Sequence, residues 1–428
     1  MRHGAGALST RRVRPQRLGR GLRAWLAIIF AGLLTVVTGC SGSTFIMPTP
    51  TASAGDTAYL RGVNVFSLYA SRFQSTDSDS IGEPQSSYDY LASRGIKLIR
   101  LAVPWERLQP IKGYKLGADE TLTREQLLAS LKAPIDKVYL AKVVDEVEKI
   151  QTAGMVAIVD LHAGCKYPSN QRSNANNPIL RCGDGITTAQ LSSVWKSLST
   201  ALKDERGVLG YDLVNEPNTS ELPGGLPAYE ALAQALITVI RDNGDSKIIW
   251  VQSPVNSSDA ITATTKGPTV VDPLNALVFS QHFYPYGTAL KDLAYTPEFD
   301  ASTLKRIDGF GMWCNTWKVR CSIGEIGWPG EDSAPTGGEL AGWNSLGDRM
   351  YQLADYYQMD VTYFEAMSSY HEHLVAYDSV HNDDTDKRLF PLPGINQAHS
   401  QAEVIERHPT TGDIDQQRLG RPNLSPIK

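Results

Sequence analysis

The chain has 428 residues, 42% of them hydrophobic and 20% charged, with a formal net charge of -5. Such a composition can bury one large core or two ordinary ones and excludes disorder along most of its length. The acidic balance is too small to imply a polyanion partner, and no basic stripe with interleaved aromatics runs through the chain, so nucleic acid is excluded as a ligand.

The first 39 residues differ from the rest. Arg11, Arg12, Arg14, Arg17, Arg20 and Arg23 precede an apolar run from Ala24 to Val37, broken only by Gly32 and Thr35. That run is short for a membrane-spanning helix, which needs about 20 residues, but it fits the apolar part of an export signal. It ends Val37-Thr38-Gly39-Cys40, which resembles the lipobox of bacterial lipoproteins. The resemblance implies lipid attachment at Cys40 and a protein held on the outer face of the bacterial cell membrane; an uncleaved anchor or an ordinary cleaved signal is the alternative. Residues 40–56 are rich in small residues and proline, so they are expected to form a tether spanning roughly 20 to 25 Å as a random coil. Residues 57–428 then form the folded body.

Four cysteines follow Cys40. In an oxidising compartment, Cys165 with Cys182 and Cys314 with Cys321 are the economical bridges, because each closes a short loop; four free thiols are the alternative. No Cys-x-x-Cys spacing suggests a metal.

From Tyr59 onward, short apolar runs alternate with amphipathic stretches. The predicted strands are Tyr59 to Val65, Lys97 to Leu101, Val156 to Leu161, Gly210 to Val214, Lys247 to Val251, Leu277 to Phe283, Arg320 to Ile323 and Val361 to Phe364. Leu140, Val143, Val144, Val147 and Ile150 fall on one helical face ahead of Gly154, a suitable C-cap. Further helices are predicted at Thr188 to Leu202, Ala228 to Arg241, Thr303 to Trp317 and Glu339 to Tyr357, with a polar loop and no helix after the eighth strand. Parallel strands need crossovers, and eight strands joined by helices predict a closed α/β architecture, the (β/α)8 TIM barrel. An open doubly wound sheet is the alternative, but no Gly-x-Gly-x-x-Gly loop supports a dinucleotide site.

Two predicted strands lead to a glutamate: Gly210-Tyr211-Asp212-Leu213-Val214-Asn215-Glu216-Pro217 and Cys321-Ser322-Ile323-Gly324-Glu325-Ile326. A carboxylate is costly against an apolar core unless it is used, and glycosidic cleavage uses two of them. In such a barrel the C-terminal strand ends share one mouth. Asn64, Arg100, Trp105, His162, Asn215, Glu216, His282, Tyr284, Glu325, Trp328, Phe364 and Glu365 all fall there. A lone histidine or glutamate at such a position is usually structural; the recurrence on strand after strand is what points to chemistry.

The same residues carry a family resemblance. Arg61-Gly62-Val63-Asn64, the run from Ile99 to Pro110, Asp160-Leu161-His162, Asn215-Glu216-Pro217, His282-Phe283-Tyr284 and Gly324-Glu325-Ile326-Gly327 resemble glycoside hydrolase family 5, within a clan of retaining glycosidase barrels. The resemblance implies a hydrolase of a β-linked glycan, most readily a β-glucan, acting by double displacement. It implies Glu216 as the acid and then base and Glu325 as the nucleophile. Asn215 would hold the sugar 2-hydroxyl, Arg100 and Tyr284 would contact Glu325, and His162 and His282 would order the surroundings. Trp328 and Phe364 are the aromatic candidates for the sugar. The family's eighth strand usually ends in tryptophan, where this chain has Phe364; Gly327-Trp328-Pro329 and Phe364-Glu365-Ala366 are also similar to glycoside hydrolase family 17.

A second cluster, His371, Glu372, His373, His381, Asp383 and Asp384, matches no helical metal spacing and reads as a solvated loop. No metal or cofactor is expected, and the body is expected to act as a monomer on an oligo- or polysaccharide. The rivals are a transglycosylase using the same two glutamates and an inactive glycan-binding lipoprotein, which would have lost one of them. Cys40→Ala should abolish lipid attachment, and metabolic lipid labelling that persists in this variant would contradict the anchor.

Overall fold

The computed structural model describes residues 45–48, 59–69, 82–112, 122–169, 178–219, 221–252, 267–285, 294–331, 337–367, 374–378 and 398–412. The export segment with Cys40, most of the tether, and the acidic and histidine cluster in 371–384 lie outside the described residues. Within the expected tether, Phe45 and Met47 pack half-buried against the main core, so that part is not a free coil.

Eight parallel strands close into a barrel. They are β1 (Arg61–Val65), β2 (Leu98–Val103), β3 (Val156–Leu161), β4 (Val208–Asp212), β5 (Ile248–Gln252), β6 (Leu277–Phe283), β7 (Arg320–Ile326) and β8 (Asp360–Ala366). Each pairs with its sequence neighbour, and β8 closes on β1 with Arg61 opposite Val361. This is the predicted (β/α)8 architecture. The helices that cover it are α1 (Gln85–Ser93), α2 (Lys137–Thr152), α3 (Thr188–Leu202), α4 (Gly225–Asp242), α5 (Pro297–Trp317), α6 (Gly337–Tyr356) and α7 (Ser400–Arg407). Asp136 caps α2 by accepting from the backbone N–H groups of Val138 and Tyr139, and Thr187 caps α3 in a reciprocal box with Gln190.

Two expectations are corrected. The segment after β8 contains α7, which the sequence reading made a polar loop; its eight residues bury Ala402, Val404 and Ile405, too short a stripe to stand out. Secondly, β4 stops at Asp212 rather than Val214, so Glu216 sits in a turn beyond the strand, whereas β7 runs on to Ile326 and holds Glu325 within it. The two glutamates therefore have different backbones.

Both expected bridges are present, Cys165–Cys182 and Cys314–Cys321. The first ties the β3–α3 connection, where a small three-stranded sheet forms from Lys166–Tyr167, Leu180–Cys182 and Gly185–Ile186.

Inside the barrel, Leu98, Val156, Ile158, Leu209, Ile248, Trp250 and Val278 form an apolar plug toward the N-terminal strand ends. Glycine lets the strands crowd together there. A Cβ on Gly62 would lie 2.1 Å from the carbonyl oxygen of Leu98, and one on Gly210 would lie 2.3 Å from that of Ile248. Toward the C-terminal ends the interior turns polar, with Asn64, Arg100, Asp160, Asp212 and Gln252 all buried. Such groups are tolerated only when they satisfy one another.

Candidate active site

Arg100 stands at the centre of this polar layer, with no exposed side-chain surface. Its Nη1 donates to Oε1 of Glu325 at 2.8 Å and to Oδ1 of Asn64 at 2.8 Å. Nη2 lies 2.9 Å from Oδ2 of Asp160 and donates to Oδ1 of Asn215 at 2.8 Å, while Nε donates to Oδ2 of Asp212 at 3.0 Å. Burial opposes the charge of this guanidinium, yet Asp160, Asp212 and Glu325 outweigh burial and raise its pKa. It is a permanent cation facing three carboxyl groups.

Glu325 is 3% exposed, and its second oxygen, Oε2, accepts from the Tyr284 hydroxyl at 2.7 Å. A donor on each oxygen holds this carboxyl group in one orientation. The position depends on a local irregularity: the register of β7 slips against β6 between Ile323 and Glu325, and against β8 between Ile323 and Ile326. A Cβ on Gly324 would meet Ser280 Oγ at 2.7 Å and His282 Nε2 at 2.9 Å, so only glycine lets the strand pass there.

Glu216 is partly open to the mouth, with 37% of its side chain exposed. Its φ is +42°, in the left-handed region that non-glycine residues seldom occupy. Its Oε1 lies 3.0 Å from Nδ1 of His282, and that same nitrogen lies 3.4 Å from Oε2 of Glu325. One oxygen from each glutamate and one His282 nitrogen all fall within 4.8 Å of one another. Burial raises the Glu216 pKa against opposing pulls from His162, Arg100 and Lys166, which favours the protonated form of this carboxyl. Burial also lowers the pKa of His282 to about 3, which leaves it neutral between them.

Asn215 and His162 lock each other. Asn215 Oδ1 faces Arg100, so its Nδ2 must be the donor toward His162 Nε2, 3.3 Å away. His162 therefore accepts at Nε2 and donates from Nδ1 to Oδ2 of Asp160 at 2.7 Å. That is the neutral tautomer, in agreement with a pKa lowered by burial to about 4.

The structure thus gathers Arg100, His162, Asn215, Glu216, His282, Tyr284 and Glu325 around one point. Phe364 is beside it, 5% exposed, in an apolar cluster with Phe66, Ala102 and Leu374, and edge-on to Phe66 at 5.5 Å and Tyr284 at 6.1 Å. Trp328, expected at the sugar, is a correction. Its side chain is 0% exposed, its indole donates to Asn344 at 2.8 Å, and its ring packs over Gly347 of α6 and edge-on to Tyr363 at 5.0 Å. Trp105 is likewise buried and donates to Gln109. The sequence reading missed Asp212 and Gln252 as site residues and quoted Asp160 only within a motif. The alternation of a strand was the available signal, because Asp160 shares a face with His162 two residues later.

The comparisons with known proteins agree with this fold. The model of the cellulase family, glycosyl hydrolase family 5, matches residues 53–369. Among solved structures, the endo-β-1,4-glucanase of Xanthomonas axonopodis pv. citri is similar with a TM-score of 0.59 at 20% identity, over 82% of this chain and 98% of that one. The endoglucanase Cel5A of Pseudomonas stutzeri gives 0.58 at 19%, over 82% and 93%. XacCel5A in complex with cellopentaose gives 0.59 at 20%, over 82% and 99%. At these identities the likeness concerns the fold.

Burial raises the pKa of Asp212 to about 7, against Arg100 and with help from Asp160, so the folded chain holds a proton there that an unfolded chain releases near pH 4. Its contribution to stability is therefore present at acid pH and lost as pH rises toward 7. His162 and His282, with lowered pKa values, act in the opposite sense, so the test is a difference. Asp212→Asn should gain stability relative to the unmutated protein as pH rises from about 4 to about 7, and no further above that. Urea midpoints across that range check it; a constant or oppositely sloping difference would contradict the shift.

Proposed function

The chain belongs to the cellulase family, glycosyl hydrolase family 5, and on that premise we propose that it is a retaining hydrolase of β-1,4-linked glucans that uses Glu216 and Glu325. The observation that supports the mechanism is the approach of the two carboxyl groups, one oxygen of each lying within 4.8 Å of the other. Retaining enzymes hold their carboxyls about 5 to 5.5 Å apart, whereas inverting ones need about 6.5 to 9.5 Å to admit a water.

In the first step, protonated Glu216 delivers its proton to the glycosidic oxygen as that bond breaks, and an oxygen of Glu325 attacks the anomeric carbon from the opposite face. Arg100 and Tyr284 keep Glu325 aimed during the attack. As Glu325 loses its charge to the new ester bond, Arg100 keeps Asp160 and Asp212 as partners. In the second step Glu216, now ionised, takes a proton from water, which attacks the same carbon and releases Glu325. Two inversions give retention. Asn215 presents an amide held by Arg100 and His162, suited to a hydroxyl beside the reacting carbon. Phe364 and Phe66 supply an apolar wall at the same place.

The substrate class rests on the family and on neighbours described as endo-β-1,4-glucanases. Internal cleavage predicts that the viscosity of carboxymethylcellulose falls well before reducing ends accumulate.

Glu325→Ala should lower kcat by about 10⁴-fold or more, with azide entering the vacated space to form a glycosyl azide of inverted configuration. Glu216→Ala should instead keep a rapid first step on aryl cellobiosides with good leaving groups, which need no proton. Stopped-flow release of the aryl group and product NMR read both; azide rescue of Glu216→Ala alone, with an inverted product, would exchange the two roles.

A further inference from the structure

Glu216 has an uncommon left-handed backbone, and a buried side chain meets it there. Its backbone N–H donates to Oε1 of Gln252 at 2.9 Å. Gln252 is the last residue of β5 and 2% exposed. Its Nε2 donates to Oδ2 of Asp212 at 2.6 Å, the same oxygen that accepts from Nε of Arg100. Tyr229 of α4 donates its hydroxyl to the backbone oxygen of Gln252 at 2.6 Å and steadies the strand end. The amide cannot be reversed, because an N–H must meet its oxygen and a carboxyl oxygen must meet its nitrogen.

We propose that Gln252, oriented by Asp212, is the positioning residue for the acid–base glutamate. The proposal rests on the reading of Glu216 as acid and base. Four contacts then connect the two glutamates behind the sugar: Glu216 N–H to Gln252, Gln252 to Asp212, Asp212 to Arg100, and Arg100 to Glu325. Among the described residues Gln252 makes no hydrogen bond to either reacting carboxyl group, and its contact to Glu216 is with the backbone N–H. Without the Oε1 acceptor the Glu216 N–H loses its partner, and the commoner extended conformation, which turns the side chain away from its place beside His282, becomes favourable. Misplacing a catalytic group by about 1 Å can cost about 10²-fold.

The experiment compares two substrates in the full chain. Gln252→Leu removes both amide contacts. Its kcat on cellopentaose should fall about 10²-fold. The pre-steady-state burst of dinitrophenolate from 2,4-dinitrophenyl β-cellobioside should fall by no more than about 3-fold, because that leaving group needs no proton. Glu216→Ala is the control with the same split. If the control shows the split and Gln252→Leu loses both activities equally, the relay is overturned while the acid assignment stands. If Glu216→Ala itself lacks the split, the acid assignment falls and the relay with it.

Gln252→Glu keeps the volume and gives an independent reading even where the leucine variant does not fold. Its carboxyl can replace the amide only while one proton lies between it and Asp212, in a site that also holds Arg100, Asp160 and Glu216. The alkaline limb of kcat/KM should therefore move to lower pH, with activity on cellopentaose recovered toward acid pH. A limb unmoved from that of the unmutated enzyme would overturn the proposal.

Discussion

A guanidinium with no exposed surface can persist in a protein interior only if nearly every donor has an acceptor and the charge has an opposite. Arg100 meets both demands through Asn64, Asp160, Asp212, Asn215 and Glu325, which come from β1, β3, β4, the turn after β4, and β7. The barrel is what lets residues so far apart in sequence reach one cation. In return, the cation orients Glu325 and Asn215 directly and the His162 tautomer through Asp160. Removing one partner of such a buried set usually costs about 3 to 5 kcal/mol, because the charges left behind have nowhere to go.

The proposed mechanism asks one cavity to run acid and base chemistry together, and the two glutamates differ in their surroundings. Glu325 sits inside a strand, nearly covered, with a cationic and a hydroxyl donor on its two oxygens. Glu216 lies beyond a strand end, faces a neutral imidazole and, among the described residues, has no guanidinium hydrogen bond, and burial pushes its pKa up. Environment rather than residue type separates the roles. The disulfide-tied connection after β3 contributes at the rim, where Lys166 and Arg181 meet Glu221, five residues beyond Glu216.

Much of this was legible in the sequence because its physics is local. Apolar runs between amphipathic helices located eight strands, short Cys spacings located two bridges, and Asn215-Glu216-Pro217 with Gly324-Glu325 located the two glutamates that the barrel brings together. What escaped depends on three-dimensional partners. Trp328 is a large aromatic three residues after the nucleophile, and only the presence of Gly347 on α6 shows that it packs inward. Gln252 follows four apolar residues like any strand end, and its meaning comes from Glu216 and Asp212 on a neighbouring strand and turn. The short helix α7 carries too few apolar positions to stand out from the polar segment before it.

In the proposed double displacement Glu325 attacks the sugar directly, with no water between it and the anomeric carbon. Proton NMR of the first product from a β-linked cello-oligosaccharide, recorded before mutarotation, tests this most directly. The account predicts that the β-anomer appears first; initial release of the α-anomer would contradict it.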